Sequence, residues 1–117
     1  MLVVDDHPIN RKVMHATLEK MGLAAVEVAS GLEALERLGE EAFDLVLMDC
    51  EMPGMDGFEA TRRLRARSQV PVVALTAHVL EGTREKCLSA GMNDYLSKPI
   101  KPEALAQALG RWLGGKG

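Results

Sequence analysis

Asp44-Leu45-Val46-Leu47-Met48-Asp49 is the stretch that decides the fold. Its unbroken apolar run has neither the in-out alternation of a strand with one wet face nor the spacing of an amphipathic helix. Short and bounded by acids, it reads as a strand buried on both faces, the mark of a parallel sheet covered by helices on each side. Outward from it, Leu2–Asp5, Ala25–Ala29, Pro71–Thr76 and Asp94–Ser97 are the remaining strand candidates, with amphipathic stretches between them. This alternation predicts repeated βα units and an α/β fold in a single domain.

The stretches between strands carry their own start and stop signals. Pro8 suits a first helical turn, where its missing N–H would have had no intrahelical partner. A helix is predicted over Pro8–Met21, with Val13, Met14, Leu18 and Met21 on its buried face and Gly22 ending it. Ser30-Gly31-Leu32-Glu33 has the form of a capping box, followed by Leu35 and Leu38 as a buried stripe and Gly39 as the stop. The third helix is predicted over Asp56–Arg65 with Phe58, Thr61 and Leu64 facing inward, the fourth over Glu81–Ala90 and the fifth over Pro102–Leu113. The closing Gly114-Gly115-Lys116-Gly117 reads as a frayed end or the start of a linker.

Size and composition narrow the function classes. A chain of 117 residues can bury one core, so residues 1–117 are read as one domain. Its net charge of −3 gives no general attraction to nucleic acid, and direct nucleic-acid binding is not expected. No run approaches the ~18 apolar residues of a membrane span, and Met1-Leu2-Val3-Val4 lacks the basic start of a secretory signal. The expectation is a cytoplasmic domain with no direct membrane contact. Cys50 and Cys87 are too few and too far apart for a disulfide framework and are read as reduced thiols. The methionines read as core filler, and Trp112 as either a packing residue or a partner anchor.

In an open parallel sheet, ligands bind beyond the carboxyl ends of the strands. Asp5, Asp6, Asp49, Thr76 and Lys98 all fall there. Any one of them alone reads as an ordinary helix cap or strand-end residue. Together, three acids at close range would repel one another unless a cation sat among them, and an all-oxygen set selects a hard ion, Mg²⁺ or in its place Mn²⁺. Such a site fits phosphoryl transfer, where catalysis is mainly positioning and charge neutralisation. Asp49 would be the nucleophile and phosphoacceptor. Asp6 would bind the metal directly, Asp5 would bind it through water or orient its shell, and the backbone carbonyl of Glu51 would add a ligand. Lys98 and Thr76 would hold phosphoryl oxygens.

Asp5-Asp6, Leu47-Met48-Asp49, Met52-Pro53-Gly54-Met55-Asp56-Gly57, Leu75-Thr76-Ala77 and Tyr95-Leu96-Ser97-Lys98-Pro99 together resemble the motifs of the response-regulator receiver domain. The likeness covers essentially the whole chain, although the first strand starts shorter than usual. It implies a flavodoxin-like, doubly wound five-stranded parallel sheet of order 2-1-3-4-5 with five helices. It implies phosphorelay signalling, in which Asp49 takes a phosphoryl group from a phosphohistidine in a Mg²⁺-dependent reaction. Such a domain is not a conventional enzyme, although it catalyses its own phosphorylation and dephosphorylation. Thr76 and Tyr95 match the switch positions that reshape the surface of the fourth helix, fifth strand and fifth helix, and the Lys98-Pro99 bond is expected to be cis.

A narrower likeness, in Asp6-His7-Pro8-Ile9-Asn10-Arg11, Met48-Asp49-Cys50-Glu51-Met52-Pro53 and Thr76-Ala77-His78, is to receivers of hybrid sensor histidine kinases. It implies a histidine kinase or histidine phosphotransfer domain as partner and a place in the cytoplasmic part of a membrane-anchored kinase; separately, the sequence leaves a weak homodimer open.

Several residues keep two readings. Glu51 is either a gate for the water that hydrolyses an acyl phosphate or a solvated loop acid, and His78 faces the same alternatives. His7 is placed near the rim, His15 on a helix face, and Cys50 has a redox role only as a minor alternative. A phosphatase of the haloacid-dehalogenase type is the rival enzyme, with Glu51 as its second acid. Against it stand the early position of Asp5 and Asp6 and the lack of room for a cap. A structural module that has lost the switch is the other rival, and it leaves the acid cluster unexplained.

Overall fold

The computed structural model describes residues 1–113, so the Gly-rich end from Gly114 lies outside the described residues. The apolar runs become β1 (Leu2–Val4), β2 (Val26–Val28), β3 (Val46–Asp49), β4 (Val72–Thr76) and β5 (Asp94–Ser97). Between and after them lie α1 (Pro8–Lys20), α2 (Gly31–Glu40), α3 (Gly57–Leu64), α4 (Thr83–Ala90) and α5 (Pro102–Trp112). The strands form one parallel sheet in the order β2-β1-β3-β4-β5, as the resemblance implies.

Because side chains alternate across a strand, the central strands feed two cores. Val46, Met48, Val72 and Ala74 pack under α2, α3 and α4 through Ala34, Ala60, Leu64 and Cys87. Leu47, Val73 and Leu75 pack on the other face under α1 and α5, through Met14, Leu18, Leu105 and Ala108. This two-sided burial is why the third strand shows no polar alternation. Register then sets the site: Val4 lies opposite Met48, Asp49 opposite Leu75, and Thr76 opposite Ser97. The strand ends are therefore level along one edge.

The differences from expectation are local. Val13 is exposed, and α1 buries only Met14 and Leu18. In α2, Ala34 is the fully buried residue, while Leu35 and Leu38 pack at the margin of the core. Gly39 does not stop that helix, which continues to Glu40. Half of the predicted capping box forms: Ser30 Oγ accepts from the Glu33 N–H at 3.2 Å, and the Glu33 carboxylate turns to the Ser30 hydroxyl instead of its N–H. α4 starts at Thr83 rather than Glu81, because Gly82 at φ 88° breaks the chain direction first. It ends at Gly91, whose φ of 96° lets the N–H groups of Gly91 and Met92 close back on Leu88 and Cys87.

Candidate functional site

The level ends of β1 and β3 bring Asp5, Asp6 and Asp49 together, with carboxylate oxygens of all three within 4.8 Å of one another. Asp5 and Asp49 are buried, at 3% and 2% exposure, and Asp6 faces solvent. Asp5 is fixed from two sides: the His7 N–H donates to its Oδ1 at 2.8 Å, and Arg11 Nη1 donates to its backbone carbonyl at 2.8 Å. The Glu51 N–H donates to Asp49 Oδ1 at 3.1 Å. Lys98 Nζ, carried past the end of β5, donates to the same oxygen at 2.9 Å, and the Lys98-Pro99 bond is cis.

The electrostatics are those of a site short of positive charge. Burial pushes the Asp49 carboxyl up to about 6; the negative charge of Asp5 adds to this, while Lys98 and the Glu51 N–H oppose it. Burial disfavours the Lys98 ammonium, yet its bond to Asp49 and the charges of Asp49, Asp5 and Glu51 outweigh that and hold it above its ordinary range. One lysine does not neutralise three acids. The donor set is entirely oxygen, which fits a hard divalent ion such as Mg²⁺.

Thr76 is buried at the end of β4. Its hydroxyl donates to Glu51 Oε2 at 2.7 Å, the Ala77 N–H donates to Glu51 Oε1 at 3.2 Å, and the His78 N–H donates to Thr76 Oγ1 at 3.0 Å. Glu51 is thus bound to β4 rather than being the freely solvated loop acid of one sequence reading. His78 is exposed and shares with Glu51 a cleft between the β3–α3 and β4–α4 connections. Tyr95 is half-buried, packed against the core under α2, α3 and α4.

The surroundings of three further residues narrow their readings. Cys50 is buried and its thiol is pushed up, chiefly by burial, so no thiolate is available for redox chemistry. His15 is more than a helix-face residue: its Nε2 lies 3.1 Å from Glu19 and its Nδ1 2.8 Å from Glu27. Trp112 donates from Nε1 to Asp94 at 3.1 Å, which makes it a packing residue with a polar tether.

Gly57 was legible only as part of a motif. Its N–H donates to the Cys50 carbonyl at 3.2 Å. A Cβ on it would overlap the carbonyl oxygen of Asp49 and stand 3.0 Å from Cys50 Cα. The start of α3, capped by Asp56 Oδ1 accepting from the Glu59 N–H at 2.9 Å, is thereby pressed onto the chain that carries Asp49. No periodicity or charge pattern signals such a contact, because its partner is backbone.

Residues 1–110 match the family model of the response regulator receiver domain. The chain belongs to that family. Among proteins similar to this receiver domain is the sensor protein GacS of Pseudomonas syringae pv. syringae, 46% identical over 97% of this chain and 13% of its own length. The chain thus spans about an eighth of the length of this relative, and of a histidine kinase, BarA of Escherichia coli, it spans the same proportion at 45% identity. A solved structure, the receiver domain of sensor histidine kinase PA1611 from Pseudomonas aeruginosa, superposes with a TM-score of 0.89 at 45% identity, covering 97% of this chain and 96% of that one. It holds a magnesium ion coordinated in its active-site cleft. A second solved structure, the receiver domain of the Saccharomyces cerevisiae response regulator Ssk1 in complex with the histidine phosphotransfer signalling protein Ypd1, is 30% identical with a TM-score of 0.88, over 95% of this chain and 86% of that one. No helix among the described residues of this receiver domain is long and apolar enough to cross a membrane.

Proposed function

We propose that this receiver domain accepts a phosphoryl group from a phosphohistidine onto Asp49. The observation that carries this reading is the buried Asp49 carboxylate, tied at Oδ1 by Lys98 Nζ and the Glu51 N–H and set among Asp5 and Asp6. Both donors converge on one oxygen, which leaves Oδ2 to attack. Its lone pair forms the new P–O bond while the P–N bond to the donor imidazole breaks and its electron pair stays with the ring nitrogen. Later attack by water on phosphorus releases phosphate and restores the carboxylate. Lys98, already 2.9 Å from Asp49, balances the charge that spreads over the phosphoryl oxygens.

Asp5, Asp6 and Asp49, with the Glu51 backbone carbonyl, would hold Mg²⁺, which when bound neutralises charge on the phosphoryl oxygens. Thr76 and Tyr95 carry the output: a new dianion beside Thr76 biases a pre-existing equilibrium of the β4–α4 connection and of the α4-β5-α5 surface. The partner is a histidine kinase or histidine phosphotransfer domain, and the domain works in the cytoplasm as part of a longer signalling kinase. Similarity to receivers of that setting supports this reading.

The test is incubation with a small-molecule phosphodonor and Mg²⁺. Stoichiometric, acid-stable and base-labile phosphate in the wild type, absent in Asp49→Ala, is expected. Equal labelling of Asp49→Ala would refute the assignment, and sustained turnover of an external phosphate ester would move the chain to the phosphatase class.

A further inference from the structure

We propose that the Glu51 carboxylate is an internal stand-in for the phosphoryl group, a latch that must be displaced before Thr76 can answer phosphorylation. The inference rests on the phosphoacceptor reading of Asp49 and adds a competitor to it. The end of β4 offers two neutral donors toward the rim, the Thr76 hydroxyl and the Ala77 N–H. Both are taken by a single carboxylate, the hydroxyl by Glu51 Oε2 at 2.7 Å and the N–H by Oε1 at 3.2 Å. Two oxygens of one anion on two adjacent donors is the arrangement that phosphoryl oxygens on Asp49 would require of the same groups.

Glu51 sits two residues after Asp49 with its own N–H on Asp49 Oδ1, so its carboxylate and a phosphoryl group would compete within one turn of chain. Thr76 is buried at 4% exposure with its hydroxyl turned to Glu51 at the wall of the cleft, so the latch covers the one polar group that β4 presents there from its side chain. Glu51 itself is exposed, and a cleft of about 640 Å³ lined by His78, Glu81 and Lys86 lies beside it, so the displaced side chain has somewhere to go. The latch holds the unphosphorylated state of Thr76 and weakens capture of the phosphoryl group by what the two hydrogen bonds contribute.

The probe is beryllofluoride with Mg²⁺, a phosphoryl mimic, titrated into wild type, Glu51→Ala and Glu51→Asp while amide resonances are followed. Glu51→Asp keeps the charge but is one methylene too short to hold Thr76 and Ala77. The latch predicts at least about tenfold tighter binding in both variants, the factor for losing one competing charge-assisted hydrogen bond, with the second adding to it. It also predicts displaced Ala77 and His78 amide resonances in both variants before any beryllofluoride is added. Tighter binding in Glu51→Ala with Glu51→Asp unchanged would mean simple charge repulsion and would overturn the latch. Equal affinity in all three proteins would sink the latch alone, whereas no binding in any of them would sink the phosphoacceptor reading as well.

Discussion

Replacing Asp49 by Asn should make the metal-free protein more stable at neutral pH, although it removes the central residue of the site. The carboxyl is pushed from 3.8 to about 6 in the folded chain, mainly by burial and then by Asp5. A group whose folded pKa is raised in this way opposes folding once it is ionised. Below about pH 4 it is protonated in both states and the cost vanishes; above about pH 6 it is charged in both and the cost is complete. At ~1.36 kcal/mol per unit, the cost reaches about 3 kcal/mol at most, and water reaching the rim beside exposed Asp6 reduces it toward about 1–2 kcal/mol. Lys98 remains charged throughout, so its attraction to Asp49 is already contained in that figure.

The assay is urea denaturation of wild type and Asp49→Asn in chelator from pH 4 to 8. The variant should be more stable at pH 7 by about 1–3 kcal/mol, and the two curves should converge as pH falls toward 4. Millimolar Mg²⁺ should stabilise wild type and close the gap, with little effect on the variant. A variant no more stable than wild type at pH 7, or a gap that is independent of pH, would refute the account of Asp49 as an under-neutralised buried carboxylate.

Gly57→Ala should destabilise by about 1–3 kcal/mol through overlap with the Asp49 carbonyl and weaken beryllofluoride binding. Gly110→Ala, where a Cβ meets nothing, should instead stabilise by about 0.5–1 kcal/mol, and equal effects in denaturation would contradict the packing argument. Leu47→Ala, fully buried between β1 and β4, should cost about 2–5 kcal/mol in the same measurement. Asp94 resists burial and is held below its ordinary range by Arg111, Trp112 and the Tyr95 N–H. Its contribution is therefore complete above about pH 4 and lost as pH falls through the depressed value, and Arg111→Ala should flatten that part of the acid-stability curve. Trp112→Phe should cost about 1 kcal/mol by thermal denaturation, through loss of the indole N–H bond to Asp94.

The fold was legible because burial on both faces leaves a direct trace in the chain. Leu45-Val46-Leu47-Met48 admits no polar alternation, and β3 is central to the sheet. The candidate rim was legible only as a set: each of Asp5, Asp6, Asp49, Thr76 and Lys98 alone reads as a cap or strand-end residue, but all five fall at the carboxyl ends of apolar strands. Helix ends were less so. Gly39 suggests a stop one residue before the helix ends, the left-handed turn at Gly82 moves the start of α4 past Glu81, and Val13 has the right spacing on the wrong face. What tertiary structure alone decided is which partner each group takes. Glu51 has the same composition and position whether it faces water or Thr76; the level ends of β3 and β4 put the Thr76 hydroxyl and Ala77 N–H within its reach. Gly57 is needed because a backbone carbonyl lies where its Cβ would be, and a backbone neighbour leaves no signature in side-chain pattern. Residue types and their order determine which atoms can do chemistry, while the register of parallel strands determines the distances, and hydrogen bonds and charge interactions depend on distance.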